Sequence, residues 1–172
     1  MKKSSFIIVN PFNNYHCQLI STCEKDNNIT DGISAQINKI KSKTTKESYE
    51  YQERENNELQ KILLLEQDDY PEAIALLHVY KDIKSCYLTF VYQKNATKQK
   101  NLLKGILSYA VEGLKMKEVF VSIDTDDNSS AINLIENGFE NLGEYSNQLN
   151  FVIDSESVKE REGILSGNRK KH

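Results

Sequence analysis

Long apolar runs, paired cysteines and a strong charge of either sign are all missing from this chain of 172 residues. Lys2 and Lys3 precede an apolar run that reaches only from Phe6 to Val9. That is too short for a signal-peptide core, and no stretch approaches transmembrane length. A cytoplasmic protein with no membrane partner is expected. Cys17, Cys23 and Cys86 are odd in number and lack C-x-x-C spacing, so neither a disulfide framework nor a zinc site is implied. A net charge of −3 is too mild to imply a nucleic-acid partner. The basic loop and tail lack the interleaved aromatics that RNA contact calls for. No Ser/His/Asp set, metal-ligand spacing or HExxH motif is present, which removes hydrolases and metalloenzymes. What is there is an ordinary globular composition, 38% hydrophobic and 27% charged, with length enough for one cored domain.

SFIIV (5–9) reads as a strand stopped by Asn10 and Pro11. Residues 12–43 carry a loose helical pattern, with Ile29, Ile33, Ile37 and Ile40 on one face and Thr30 or Asp31 near its start. Residues 41–61 are poor in apolar side chains and dense in charge, an exposed helix or a mobile loop. KILLLEQ (61–67), EAIALLHVY (72–80) and CYLTFVY (86–92) read as three strands joined by the turns DDYP and YKDIKS, an antiparallel meander. Leu102, Leu103, Ile106, Leu107, Ala110, Val111 and Leu114 give a helix one broad apolar face. EVFVSID (118–124) is the next strand, and a strand–helix–strand order favours a parallel right-handed crossover. NSSAINLIENGF (128–139) is a short helix with an Asn or Ser cap and a closing Gly138. Two strands follow around a turn at Ser146 and Asn147. The expected organisation is a single domain over 1–155, with a helical part (1–60), a core (61–155) and a polar, loose tail (156–172).

Between the third strand and its helix lies QKNATKQKNLLKGIL (93–107). The first N–H groups of a helix have no partners and favour anions. Lys94, Lys98, Lys100 and Lys104 oppose the helix dipole, each by about 0.3–1 kcal/mol at an exposed site, and a bound polyanion would reverse that sign. The turn nevertheless has no glycine before Gly105 to let a phosphate approach.

Taken together, this order of elements resembles the GNAT N-acetyltransferase superfamily. NSSAINLIENGF followed by ENLGEY is similar to the family's Asn-x-x-Ala helix, Gly-Phe stop and following strand, matched by Asn128, Ala131, Leu134, Gly138, Phe139 and Gly143. The order fits from about Lys61 to Ile153, and residues 1–60 fit loosely. The resemblance implies an α/β (α+β) fold with a mixed central sheet, an antiparallel meander, a crossover helix and a C-terminal hairpin. It implies acetyl transfer from acetyl-CoA, as cosubstrate, to an amine on a small molecule or protein. The cofactor would lie in a splay between 86–92 and 118–124.

The family's pyrophosphate motif, Arg/Gln-x-x-Gly-x-Gly/Ala, aligns on KQKNLL, with Lys98 first and Asn101 and Leu103 on the glycines. Starting instead at Gln99 puts Leu102 and Lys104 there. Lys98, Gln99, Lys100, Asn101, Leu102, Leu103 and Lys104, with Asn128, are thus the expected cofactor contacts. The resemblance also implies a strand-kink N–H that polarises the thioester carbonyl, by position at Val91 or Tyr92. The family's proton-donating tyrosine is replaced by Ile135, leaving Tyr145 as a substitute or as packing. A base must deprotonate an ammonium of pKa about 10.4. Glu66 is the candidate, its alternative a solvated strand-end carboxylate. Asp124, Asp126 and Asp127 suit capping, and His78 suits packing or exposure. Final strands often pair between subunits in this fold, which leaves a homodimer open. The alternative to an enzyme is a non-catalytic GNAT-like binding module, favoured by the absent glycines and tyrosine.

Overall fold

Alternation along the central strands sorts the apolar side chains onto two faces. In β2 (Glu58–Gln67), Leu63 and Leu65 join one core while Ile62 and Leu64 join the other. The computed structural model of the protein describes residues 3–29 and 32–166. Its chain runs β1 (Ser5–Ile8), α1 (Asn14–Asp26), α2 (Ile33–Lys43), α3 (Lys46–Glu55), β2, β3 (Tyr70–Tyr80) and β4 (Ser85–Gln93). Then come α4 (Ala96–Ser108) with a π turn at Tyr109–Gly113, β5 (Glu118–Asp124), α5 (Asn128–Glu136), β6 (Glu140–Tyr145), β7 (Gln148–Asp154) and α6 (Ser155–Ser166).

The strands among the described residues join one 7-stranded sheet of order β1-β2-β3-β4-β5-β7-β6. Among the described residues only β4 and β5 pair in parallel, as a helical crossover requires. This is the α/β architecture with meander, crossover helix and C-terminal hairpin that the sequence implied. The larger core lies between the sheet and α4, α5 and α6, with Leu102, Leu103, Ile106 and Phe151 wholly buried. The smaller core lies under α1 and α2 and draws on β2, β3 and β4. No residue of β5, β6 or β7 is among its described members, so that part of the sheet face carries no helix.

Several elements differ from expectation. Asp68 and Asp69, at φ 56° and 62°, form the whole β2–β3 turn, and Pro71 lies in β3 opposite Glu66, where the ladder skips a residue. Ile29 precedes α2, which starts at Ile33 behind Gly32; Thr30 and Asp31, expected near its start, lie outside the described residues. The charged stretch after residue 41 does contain an exposed helix, α3, capped by Thr45. The polar segment expected to be loose from 156 forms α6 as far as Ser166. Asp154 caps it by accepting from the Ser157 N–H at 2.7 Å, which holds that carboxyl below its ordinary range, and Val158 enters the larger core. The rest of that tail, 167–172, lies outside the described residues.

The end of α5 shows how local sequence sets a join. Phe139 N–H donates to the Leu134 carbonyl and Gly138 N–H to that of Ile135, a Schellman motif in which Leu134 and Phe139 are both buried. Gly138 has φ +96°. Gly138→Ala is expected to cost about 1–2 kcal/mol, because a Cβ strains left-handed backbone; an unchanged urea midpoint would contradict the motif's role. Burial pushes the Cys23 thiol up to about 11 and the Cys86 thiol up to about 12, whereas Cys17 is half-buried. Thiolate is the reactive form, so a thiol reagent at pH 8 should label Cys17 first and the other two only on unfolding. Simultaneous labelling of all three in folded protein would refute this packing.

Candidate functional site

The β4–β5 ladder is short. Ser85 to Leu88 pair with Glu118 to Val121, and there the pairing stops, although β4 continues to Gln93 and β5 to Asp124. Beyond that fork, β5 stays with β7 through Asp124↔Gln148, and β4 stays with β3. A wedge opens between them. On its β4 side the ladder to β3 jumps from Ala75↔Phe90 to Ile74↔Tyr92, so Val91 is a bulge residue with no partner residue in either ladder. A bulge leaves backbone polar groups free and re-aims them. Val91 is one of the two positions named for the polarising N–H.

The other end of the wedge is the start of α4. Asn95 caps it, its Oδ1 accepting from the Lys98 N–H at 2.9 Å, and Gln99 N–H donates to the Asn95 carbonyl at 3.1 Å. The partnerless N–H groups of this helix therefore belong to Asn95, Ala96 and Thr97. Expected contacts 98–104 lie too far along. Gln99 to Lys104 are inside the helix with their N–H groups in its ladder, and Leu102 and Leu103 are wholly buried in the core. The cap fixes this register. Moved four residues upstream, the same motif starts at Lys94 and has Thr97 and Gln99 on the glycines.

Gln99 is the bulky residue that this register places nearest the helix start, yet it does not face the wedge. It is 1% exposed; its Nε2 donates to Ser130 Oγ at 2.7 Å and its Oε1 accepts from Asn133 Nδ2 at 2.7 Å. Asn133 also donates to the Ala96 carbonyl at 2.9 Å, and Ser130 Oγ donates to Asp127 Oδ2 at 2.6 Å. This buried network latches the first turn of α4 to that of α5 and leaves clearance where the side chain would otherwise obstruct. The lysines are engaged as well. Lys98 Nζ donates to Gln67 Oε1 at 2.6 Å, Lys100 lies 3.2 Å from Glu136, and Lys94 lies 3.6 Å from Glu72. Lys104 lines a cavity of about 450 Å³ with Lys100, Glu136 and Arg161, between α4, α5 and α6. Asn128, exposed at the first position of α5, lies behind the Asp127 cap.

The expected catalytic side chains are not gathered at the wedge. Glu66 Oε2 accepts from the Tyr15 hydroxyl at 3.1 Å and from the Asp69 N–H at 2.8 Å, which makes it a holder of the β2–β3 turn. The Asp69 carboxylate, which accepts from the Tyr15 hydroxyl at 2.7 Å, and that of Glu66 hold this hydroxyl protonated far above its ordinary range. Tyr145 is 78% exposed at the β6–β7 turn. Asp127 is a cap, and His78 pairs with Glu58 at 2.8 Å and stacks on Tyr80. Ile135 is exposed on α5.

One residue was missed. Glu72, at 6% exposed, is buried at the start of β3, with its Oε2 lacking any hydrogen-bond partner. Its carbonyl accepts the Lys94 N–H at 2.9 Å, just past the end of β4. Its charge reaches Tyr92, the residue after the bulge; burial first, then Cys23 and Glu72, raise the Tyr92 phenol. Asn27, just past the end of α1, donates to the Cys23 carbonyl at 2.9 Å, while Tyr70 donates to Asp26 at 3.1 Å. Its signal in the sequence was an acid opening an otherwise apolar strand. Among the described residues no group of three or more His, Cys, Asp or Glu could hold a metal, and no helix is long and apolar enough to cross a membrane.

Comparison with solved structures shows the fold of the GNAT N-acetyltransferases. Campylobacter jejuni N-acetyltransferase PseH is 17% identical with a TM-score of 0.55, the match covering 88% of this chain and 97% of that one. PseH in complex with acetyl coenzyme A matches at 16% identity and a TM-score of 0.57, over 87% and 99% of the two chains. The dodecameric spermidine N-acetyltransferase of Vibrio cholerae matches at 11% and 0.62, over 92% and 97%. No protein-family model matches the chain, and no curated protein matches it.

The latch gives a direct test. Gln99→Leu would leave Ser130 and Asn133 with lost partners, and each unsatisfied buried group costs about 1–3 kcal/mol. A urea-unfolding loss in that range is expected; an unchanged midpoint would mean that the network holds nothing.

Proposed function

We propose that the protein is an acetyl-CoA-dependent N-acetyltransferase that acetylates an amine acceptor directly in the β4–β5 wedge. The observation that carries this reading is the unpaired Val91 in a splayed sheet, four residues before the partnerless N–H groups that open α4. Acetyl-CoA would supply a thioester acetyl group, and the fit rests on two features. Helix-start donors suit a pyrophosphate, and the inward turn of Gln99 leaves their approach clear. Val91 N–H would polarise the thioester carbonyl, where a preorganised backbone donor is worth about 3–4 kcal/mol in acyl transfer. Glu72 replaces Glu66 as the candidate base, since its buried Oε2 accepts no hydrogen bond, has the Lys94 ammonium 3.6 Å away as its counter-charge, and borders Tyr92. The acceptor ammonium would pass its proton toward that carboxylate before nitrogen attacks, and as the C–S bond breaks the nitrogen's remaining surplus proton would go to the departing thiolate. The neighbours' acetyl coenzyme A and spermidine support cosubstrate and amine class. A binding module keeps one observation in its favour, the apolar Ile135 where the family carries a tyrosine.

Ala96→Pro tests the helix start. Proline is accommodated at the first helical position and only removes its N–H. Calorimetric titration should find micromolar acetyl-CoA binding to the native protein, weakened about tenfold in the variant, the worth of about one charge-assisted hydrogen bond. Absence of binding at millimolar acetyl-CoA would overturn the enzyme reading. Glu72→Gln should lower kcat about 10²-fold with acetyl-CoA affinity intact; an unchanged kcat would remove Glu72 from the mechanism.

A further inference from the structure

We propose that the uncovered sheet face beside the wedge holds the aromatic ring of the amine acceptor, and this rests on the acetyl-transfer reading above. A cavity of about 260 Å³ opens there, lined by Tyr87, Phe120, Ser122, Leu142, Tyr145 and Asn150 among others. It lies at the fork, because Tyr87↔Phe120 is the next-to-last β4–β5 pair and Ser122 is the first β5 residue beyond it. An acceptor seated in it therefore has one end at the opening of the wedge.

The lining is selective in three ways. Tyr87 and Phe120 stack with centroids 5.0 Å apart and planes at 16°, and Tyr87 is still 47% exposed. Tyr80 meets Tyr87 edge-on at 5.7 Å, and His78 stacks on Tyr80 at 4.8 Å, so the aromatic surface runs across β3, β4 and β5. A further ring can extend such a stack, since offset and edge arrangements of rings are favourable. The second feature is charge. The cavity lining contains no ionisable carboxylate or ammonium, and its polar groups are the neutral Ser122 and Asn150, joined at 2.6 Å, with the phenols. An acceptor with several positive charges finds no counter-ion there. The third is space. Gly143 at φ +99° has nothing within 4 Å of where a Cβ would stand, which opens the β6 side, and the volume suits one ring with a short arm. Together these features point to a monoamine on a short arm from an aromatic ring, and away from a polyamine.

The test uses the full chain with tyramine and spermidine as probes. Saturation-transfer NMR should detect the tyramine ring on the native protein, and Ser122→Trp, which fills the cavity from an exposed position, should abolish that signal. In acetyl-transfer assays tyramine should show a KM at least tenfold below that of spermidine, and Ser122→Trp should raise it about tenfold with kcat and calorimetric acetyl-CoA affinity unchanged. Tyr87→Ala should act in the same direction. No saturation transfer to tyramine, or a spermidine preference, would overturn the proposal. So would a sedimentation-detected dimer that Ser122→Trp dissociates, because a second copy would then be the occupant of this face. Failure of acetyl-CoA to bind the native protein would instead remove the acetyl-transfer reading, and the tyramine signal would still decide whether the cavity takes a ring.

Discussion

The rest of the molecule depends on the parallel ladder between β4 and β5 ending after Leu88↔Val121. Each strand is held on its far side, β4 by β3 and β5 by β7 along its whole length. Neither can follow the other once the twist and the Val91 bulge carry them apart. In most sheets such unpaired backbone is a liability, since N–H and C=O groups without partners are costly when buried. Here it lies between the end of β4, which leads into α4, and the end of β5, which pairs with the start of β7 beside the β6–β7 turn. The same parting leaves β5, β7 and β6 without a helix on one face, and that exposes the aromatic strip.

What keeps the wedge in shape is packing on one side and polar bonding on the other. Leu102, Leu103 and Ile106 fix α4 against the sheet, while Gln99, Ser130, Asn133 and Asp127 tie its first turn to α5. Gln99 thereby explains how a helix start without glycine can stay accessible. Its bulk is spent in an interface, not in the path of a ligand.

Much of the fold was legible because it is written locally. The β-rich run EVFVSID marked β5 from end to end, and Gly138 with Phe139 marked the close of α5. Ser146 and Asn147 turn the last hairpin at φ 55° and 65°, as residues tolerant of left-handed backbone should. The site was less legible because it is set by pairing between distant residues. No local signal says that Val91 faces a gap in the ladder to Ile74 and Ala75, or that Glu72 is buried against the end of β4. The helix start was misplaced for a different reason. Four lysines drew attention to Lys98–Lys104, whereas the deciding residue was the Asn95 cap, which places the free N–H groups upstream. Helix α6 was missed because its sequence is polar, and burial of Val158 is what anchors it.

Amide NMR of ¹⁵N-labelled protein titrated with acetyl-CoA addresses the wedge most directly. Shifts concentrated at Val91, Tyr92, Asn95, Ala96 and Thr97 are the expected result. Shifts confined to the α4–α6 cavity around Lys100, Lys104 and Arg161, with Val91 unmoved, would contradict it.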